Sequence, residues 1–278
     1  TLYYTVAFSD KSNSTQYTEF VTLERSDNKR FLFFDNWKMK TTGYVVKNYT
    51  ISVPSGINAK VKVNDISLDD GYKGDEEGTY VIPSCFPGTY TLSVESDFYE
   101  PYETQFTVTE GDGGDEDYYN LSFNNSDFNM SSSIEESLDS MAAETVTDLY
   151  IGAVEEKDFS DIVDADAVDG ECDLETQYNN WINNNVTSDT CITGLKITDT
   201  QTTLGRLDYE DDTVRVSVAV EMTYNTTSSV KDYWSGKSEK RSNEGKTGTC
   251  TLYYEYRDGS WIIYAYDNFS YAIDYEKY

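Results

Sequence analysis

Histidine is absent from the 278 residues. Without it the chain lacks the commonest general base and the commonest metal ligand, so Ser-His-Asp, Cys-His and zinc-histidine chemistry are excluded together. An enzyme built on this sequence has carboxylates, Tyr, Lys or Cys to work with. Cations are scarce as well: 21 Lys+Arg stand against 51 Asp+Glu, a formal charge of −30. A field of that sign repels phosphate backbones and anionic lipid surfaces alike, which argues against nucleic-acid binding. No run of 18 apolar residues occurs and no charged-then-apolar leader opens the chain, so nothing in it reads as a membrane span or a signal peptide. A soluble fragment of an anchored protein is expected to look the same. Thr1 to Phe8 already reads as a strand with no initiator Met, which suggests a piece of something longer.

What is abundant is tyrosine, 25 of them. A side chain with an apolar body and a polar tip suits half-buried strands, so the composition points to β-rich structure. Acidic disordered chains are poor in aromatic and β-branched residues, and this one is rich in both, so the charge is read as surface solvation. The length favours two or three domains.

An internal repeat appears when residues 17–39 are laid beside 248–271. Each has an alternating strand, a polar turn (Ser26-Asp27-Asn28 or Arg257-Asp258-Gly259-Ser260), an aromatic strand, and then Asp35-Asn36-Trp37 or Asp267-Asn268-Phe269. Residues 1–45 are therefore expected to be the three-strand end of a truncated domain, with residues 1–40 leaning on a neighbour or mediating an oligomer. Residues 46–124 carry short runs bounded by turn signals (Tyr49–Val53, Ala59–Val63, Thr79–Ile82, Thr89–Val94, Tyr102–Val108, Tyr118–Phe123), the spacing of a small β-sandwich. After a polar link at 125–132 the period changes from two to about 3.6. Ser133 with Glu136 has the form of a capping box, and Ile134, Leu138, Met141, Ala142, Val146, Leu149, Tyr150 and Ala153 share one helical face. A shorter helix is expected over 174–182, followed by strands at Ile192–Thr198, Val214–Tyr224, Thr249–Tyr256 and Trp261–Tyr266, with a Ser/Thr/Asn-rich connection after Tyr224.

Pro87-Gly88-Thr89-Tyr90-Thr91-Leu92, preceded by Ala59-Lys60-Val61-Lys62-Val63-Asn64, resembles the Ig-like and PEGA-like modules of bacterial surface proteins. Helices followed by a strand set ending on Arg257-Asp258-Gly259-Ser260-Trp261-Ile262-Ile263 resemble the NTF2-like cone fold, helices laid on a curved antiparallel sheet, for residues 133–278. In this order the parts are similar to the extracytoplasmic region of the teicoplanin resistance-associated (TcaA/YvbJ-type) membrane proteins of Gram-positive bacteria. That resemblance implies a cell-surface ectodomain, mainly β with α+β, held by an N-terminal transmembrane segment that this sequence does not contain. It carries over no site residue.

Of the four cysteines, Cys172 and Cys191 bracket the second helix, which leaves two readings, a disulfide between them or two buried or idle thiols. Cys85 and Cys250 read as unpaired, Cys250 on a core-facing strand position. The carboxylates from Asp161 to Glu171 do not fit an EF-hand, since Val168 and Asp169 stand where a ligand and a glycine are needed, so neither a metal nor a cofactor is expected. A cone leaves room for a pocket, and Tyr150, Tyr178, Trp181, Tyr254 and Tyr264 are the candidates to line it. The helix face that meets the sheet is almost wholly apolar, with Asp139 and Asp148 off the stripe, which favours packing over catalysis. The expected function is noncatalytic, binding or sensing a cell-wall glycan or an envelope protein partner. An isomerase or dehydratase working with a carboxylate and Tyr is one alternative, and an adhesin or spacer is another.

Overall fold

The computed structural model describes residues 2–9, 16–30, 34–39, 45–113, 119–210, 213–232 and 234–275. Among them the chain is mainly β, 49% strand with two α-helices. Strands β1 (Leu2–Ser9), β2 (Gln16–Arg30) and β3 (Phe34–Met39) form an antiparallel sheet in that order. Ser26-Asp27-Asn28 does not turn the chain. Strand β2 runs through it to Arg30, with a register irregularity between Ser26 and Arg30, so the polar triplet marks a bulge.

The middle of the chain supplies β4 (Val46–Ser52), β5 (Lys60–Val63), β6 (Ile66–Ser67), β7 (Thr79–Cys85), β8 (Gly88–Glu95), β9 (Tyr102–Val108) and β10 (Leu121–Ser122). They make two sheets, ordered β10-β4-β7 and β6-β5-β8-β9. Alternate residues of both are buried, among them Tyr49, Ile51, Val61, Leu92, Val94, Phe106 and Val108. The Tyr49 and Phe106 rings stack 5.6 Å apart. Strand β10 pairs parallel with β4, and Asn120 locks the pairing by accepting the Thr50 N–H at 2.9 Å. Residues 125–132 are more than a polar link, because Phe128 is buried among Tyr99, Tyr102 and Phe123 with ring centroids 4.9–6.1 Å apart.

Helices α1 (Ser132–Val154) and α2 (Leu174–Asn185) precede β11 (Cys191–Leu204), β12 (Asp208–Glu210), β13 (Thr213–Lys231), β14 (Ser238–Arg257) and β15 (Ser260–Asp267). The strands form one sheet ordered β11-β13-β14-β15, with β12 on β13. Leu138, Ala142, Val146, Leu149, Tyr150 and Ala153 recur at helical spacing and are all buried, so the expected stripe of α1 is its core face. Its cap differs from the sequence expectation. The helix begins at Ser132, and Glu100 of the sandwich accepts the Ser132 N–H at 2.8 Å, so the first-turn donor is satisfied from a distant loop. The Asp258-Gly259 turn between β14 and β15 has φ 52° and 88°, the left-handed pair that a two-residue hairpin requires.

Strands β13 and β14 run well beyond Tyr224 and start well before Thr249. Thr226, Ser228 and Val230 are buried in this extension, against the expectation of a polar connection. The C-terminal segment supplies apolar cover for the sheet through Phe269, Ala272, Ile273 and Tyr275, all buried, and the Asp274 N–H donates to the Tyr224 hydroxyl at 2.7 Å.

Candidate functional site

The expected pocket of the C-terminal unit is filled. Tyr150, Tyr178, Trp181 and Tyr254 do come together between the helices and the sheet, but each is at most 2% exposed. The Tyr150 ring stacks on Phe269 at 4.8 Å and meets Trp181 edge-on at 5.5 Å, and its hydroxyl donates to the Phe269 carbonyl at 2.5 Å. Tyr178 donates to the Lys157 carbonyl at 2.8 Å and packs edge-on against Phe159. Burial pushes the Tyr178 hydroxyl up to about 12 and also raises the Tyr150 and Tyr254 hydroxyls well above their ordinary value. These phenols hold backbone carbonyls or sit under α1, which suits core members better than proton donors to a ligand.

Tyr264 is not with them. A register shift between Tyr253 and Tyr254 in the pairing with β15 puts one extra residue into the strand and turns Tyr264 to the outer face. There it lies 6.2 Å from Tyr253, with the Arg215 guanidinium 4.9 Å above its ring. Glu255, 3% exposed, pairs with Arg215 and Arg257 on that same face, and Arg257 also reaches Asp169 at 2.9 Å. This ladder ties the loop before α2 to the last hairpin. The Glu171 N–H, together with the bond from Arg257, holds the Asp169 carboxyl below the usual carboxylate range.

Of the two readings of Cys172 and Cys191, the disulfide does not form, and all four cysteines are free thiols. Cys172 stands before the first residue of α2, whereas Cys191 opens β11 opposite Ser229 of β13, beyond its last. Nonreducing peptide mapping should therefore find no Cys172–Cys191 link. In the native protein Cys172 and Cys191 should alkylate well before Cys250, whose thiol burial pushes up to about 12. A Cys172–Cys191 peptide, or equal rates at the three positions, would contradict this arrangement.

The open space lies at the seam between the sandwich and the C-terminal unit, a cleft of about 490 Å³. The loop 74–78 supplies Glu76 and Glu77, the segment 119–126 supplies Tyr119, Phe123, Asn124 and Asn125, and the approach to β12 supplies Arg206 and Tyr209. Glu77 spans the seam, one oxygen accepting the Gly56 N–H and the other the Tyr209 hydroxyl, both at 3.2 Å. Gly56 has φ +72°, and a Cβ there would stand 1.9 Å from the Tyr209 ring, so the glycine admits the ring against bare backbone. Tyr119 donates to Glu76, and that bond pushes its hydroxyl up. Asn125 donates to the Leu207 carbonyl at 3.1 Å. Elsewhere between the two units Phe98 packs edge-on against Tyr256 at 5.1 Å and Trp261 at 6.3 Å. A smaller space of about 200 Å³ shares Pro54, Ser55, Glu76, Glu77 and Thr79 with it.

Chemically the cleft offers carboxylate and amide groups beside half-buried aromatic rings. The sequence gives no motif for it, because Glu77 and Tyr209 stand 132 positions apart and meet only through the packing of the two units. Among the described residues no group of three or more His, Cys, Asp or Glu side chains is placed to hold a metal ion. No protein-family model, curated protein or solved structure matches this chain.

Proposed function

We propose that this chain is the noncatalytic ectodomain of a membrane-anchored cell-envelope protein, an Ig-like sandwich joined to an NTF2-like cone, that binds a neutral cell-wall glycan in the seam cleft. The observation that carries the reading is a contrast: the interior of the C-terminal unit is packed with tyrosine, while the seam leaves a cleft lined by carboxylates, amides and half-buried aromatic rings. Sugar rings present an apolar face of C–H groups and a rim of hydroxyls, which aromatic side chains and carboxylates or amides respectively recognise. Glu76 and Glu77 at the mouth, on a chain of charge −30, select against anionic polymers and in favour of uncharged, N-acetylated saccharides. The sandwich and cone resemblance supplies the cellular setting.

Titration of the protein with soluble N-acetylglucosamine oligomers, followed by amide chemical shifts, tests the reading. Shifts are expected to concentrate at 54–56, 76–79, 119–126 and 206–209. Glu76→Ala and Tyr119→Ala should each weaken binding about tenfold, the cost of a lost hydrogen bond to a charged group or of a lost stacking face. An absence of shifts at millimolar oligomer, or shifts confined to another surface, would overturn it.

A further inference from the structure

One local departure from the acidity of this molecule is the end of the β13–β14 hairpin. Residues 231–246 hold five cations (Lys231, Lys237, Lys240, Arg241, Lys246) against three carboxylates (Asp232, Glu239, Glu244), a net +2 that leaves −32 for the remainder. At the tip stands Trp234, 91% exposed, the most exposed large hydrophobic side chain among the described residues. The turn that presents it is well fixed. The Asp232 carboxylate accepts the Ser235 N–H at 2.5 Å, its carbonyl accepts the Gly236 N–H at 2.9 Å, and its own N–H donates to the Lys237 carbonyl at 2.8 Å.

The acidic groups around this tip are already engaged. Asp232 is held by the turn, Asp189 takes Lys231 at 3.0 Å, and Glu239 lies 3.5 Å from Arg241. Lys237 and Lys240 are exposed and make no ion pair among the described residues. Lys231 sits opposite Ser238 and Lys240 opposite Ser229, so these two lysines share one face of the ribbon, with Lys237 beside the tryptophan in the turn.

We infer that this hairpin tip is a membrane-contact element that seats Trp234 at the headgroup level of an anionic bilayer, with Lys237 and Lys240 against the lipid phosphates. Tryptophan prefers the water–lipid interface, where its ring is half desolvated and its N–H stays hydrogen-bonded. Lysines close to an anionic surface add attraction that falls off within a Debye length, about 8 Å at physiological salt. The same short range screens the −32 of the remaining body from lipid beneath the tip. Shape selects a surface over a polymer chain: the cations and the ring cap a convex turn, which meets a plane, whereas a linear phosphate polymer needs a groove to run through. The contact is distinct from the seam cleft and stands without it.

The test is cosedimentation of the full chain with vesicles of one part phosphatidylglycerol to two parts phosphatidylcholine, beside vesicles of phosphatidylcholine alone. At about 0.05 M salt the protein should bind the anionic vesicles and leave the neutral ones, and about 0.5 M salt should release it. Trp234→Ala and the double change Lys237→Glu with Lys240→Glu should each weaken binding at least about tenfold. Unfolding midpoints of both variants should match the parent, since all three side chains are exposed. No binding to anionic vesicles at low salt, or binding unchanged in both variants, overturns the proposal. Variant-sensitive binding to soluble polyphosphate without vesicle binding overturns it in favour of a phosphate chain.

Discussion

Tyr150→Ala is expected to destabilise the protein by about 3–5 kcal/mol in urea unfolding followed by circular dichroism. The ring fills the space between Phe269 and Trp181, stacked on one and edge-on to the other, and its removal leaves a void that rigid neighbours cannot close. The hydroxyl holds the Phe269 carbonyl at 2.5 Å, so truncation also strips that acceptor of its donor. Tyr150→Phe separates the two contributions and should cost about 1 kcal/mol. The pair of variants discriminates a packed interior from a ligand pocket. A side chain lining an open pocket loses little on truncation, so an alanine cost below about 1 kcal/mol would contradict the filled interior.

The second large effect is expected at Gly248, on β14 opposite Met222 of β13. A Cβ at this position would lie 1.7 Å from the Ala272 carbonyl oxygen and 2.7 Å from its carbon. Both are backbone atoms, so no rotamer change relieves the clash. Gly248→Ala must lift the C-terminal segment, which buries Phe269, Ala272, Ile273 and Tyr275 and carries the acceptor for Tyr150. The cost should be about 3 kcal/mol, at the upper end of overpacking changes. Two signatures accompany it: faster exchange of the Ala272 amide, which bonds the Asn268 carbonyl at 3.0 Å, and faster alkylation of Cys250 on the same strand. Stability within about 0.5 kcal/mol of the parent would show that the segment is not seated on the sheet.

What was legible in the sequence is what short-range physics determines. The stripe from Leu138 to Ala153 needs only the helical period, and Asp258-Gly259 turns the chain because those residues tolerate left-handed backbone. The failures have a common cause in long-range packing. Tyr264 reads as a pocket residue beside Tyr254, whereas the one-residue irregularity in the pairing of β14 with β15 puts it on the other face. Thr226 and Ser228 read as a polar connection because nothing nearby shows that this stretch of β13 will be buried. The helix cap went to Ser133 and Glu136, whereas the carboxylate that serves α1 comes from Glu100, more than thirty residues upstream. The seam cleft was invisible for the same reason, since its walls belong to loops that no local pattern joins.

The parallel pairing of β4 with β10 bears on how the molecule takes tension. Strand β4 opens the sandwich, β10 closes it, and the two lie side by side pointing the same way. A pull between the N-terminal and C-terminal sides drags these strands in opposite directions along their own axes. The Asn120 N–H to Thr50 carbonyl bond at 3.0 Å, the Phe123 N–H to Ser52 carbonyl bond at 2.9 Å and the Thr50 N–H to Asn120 side-chain bond at 2.9 Å then carry the load together in shear. A hairpin loaded at its open end peels one bond at a time, whereas this patch must yield all at once. Forced unfolding of the sandwich is therefore governed by the rate at which a handful of bonds between its first and last strands gives way. Under a load applied across the two ends of the sandwich, that patch is the mechanical fuse.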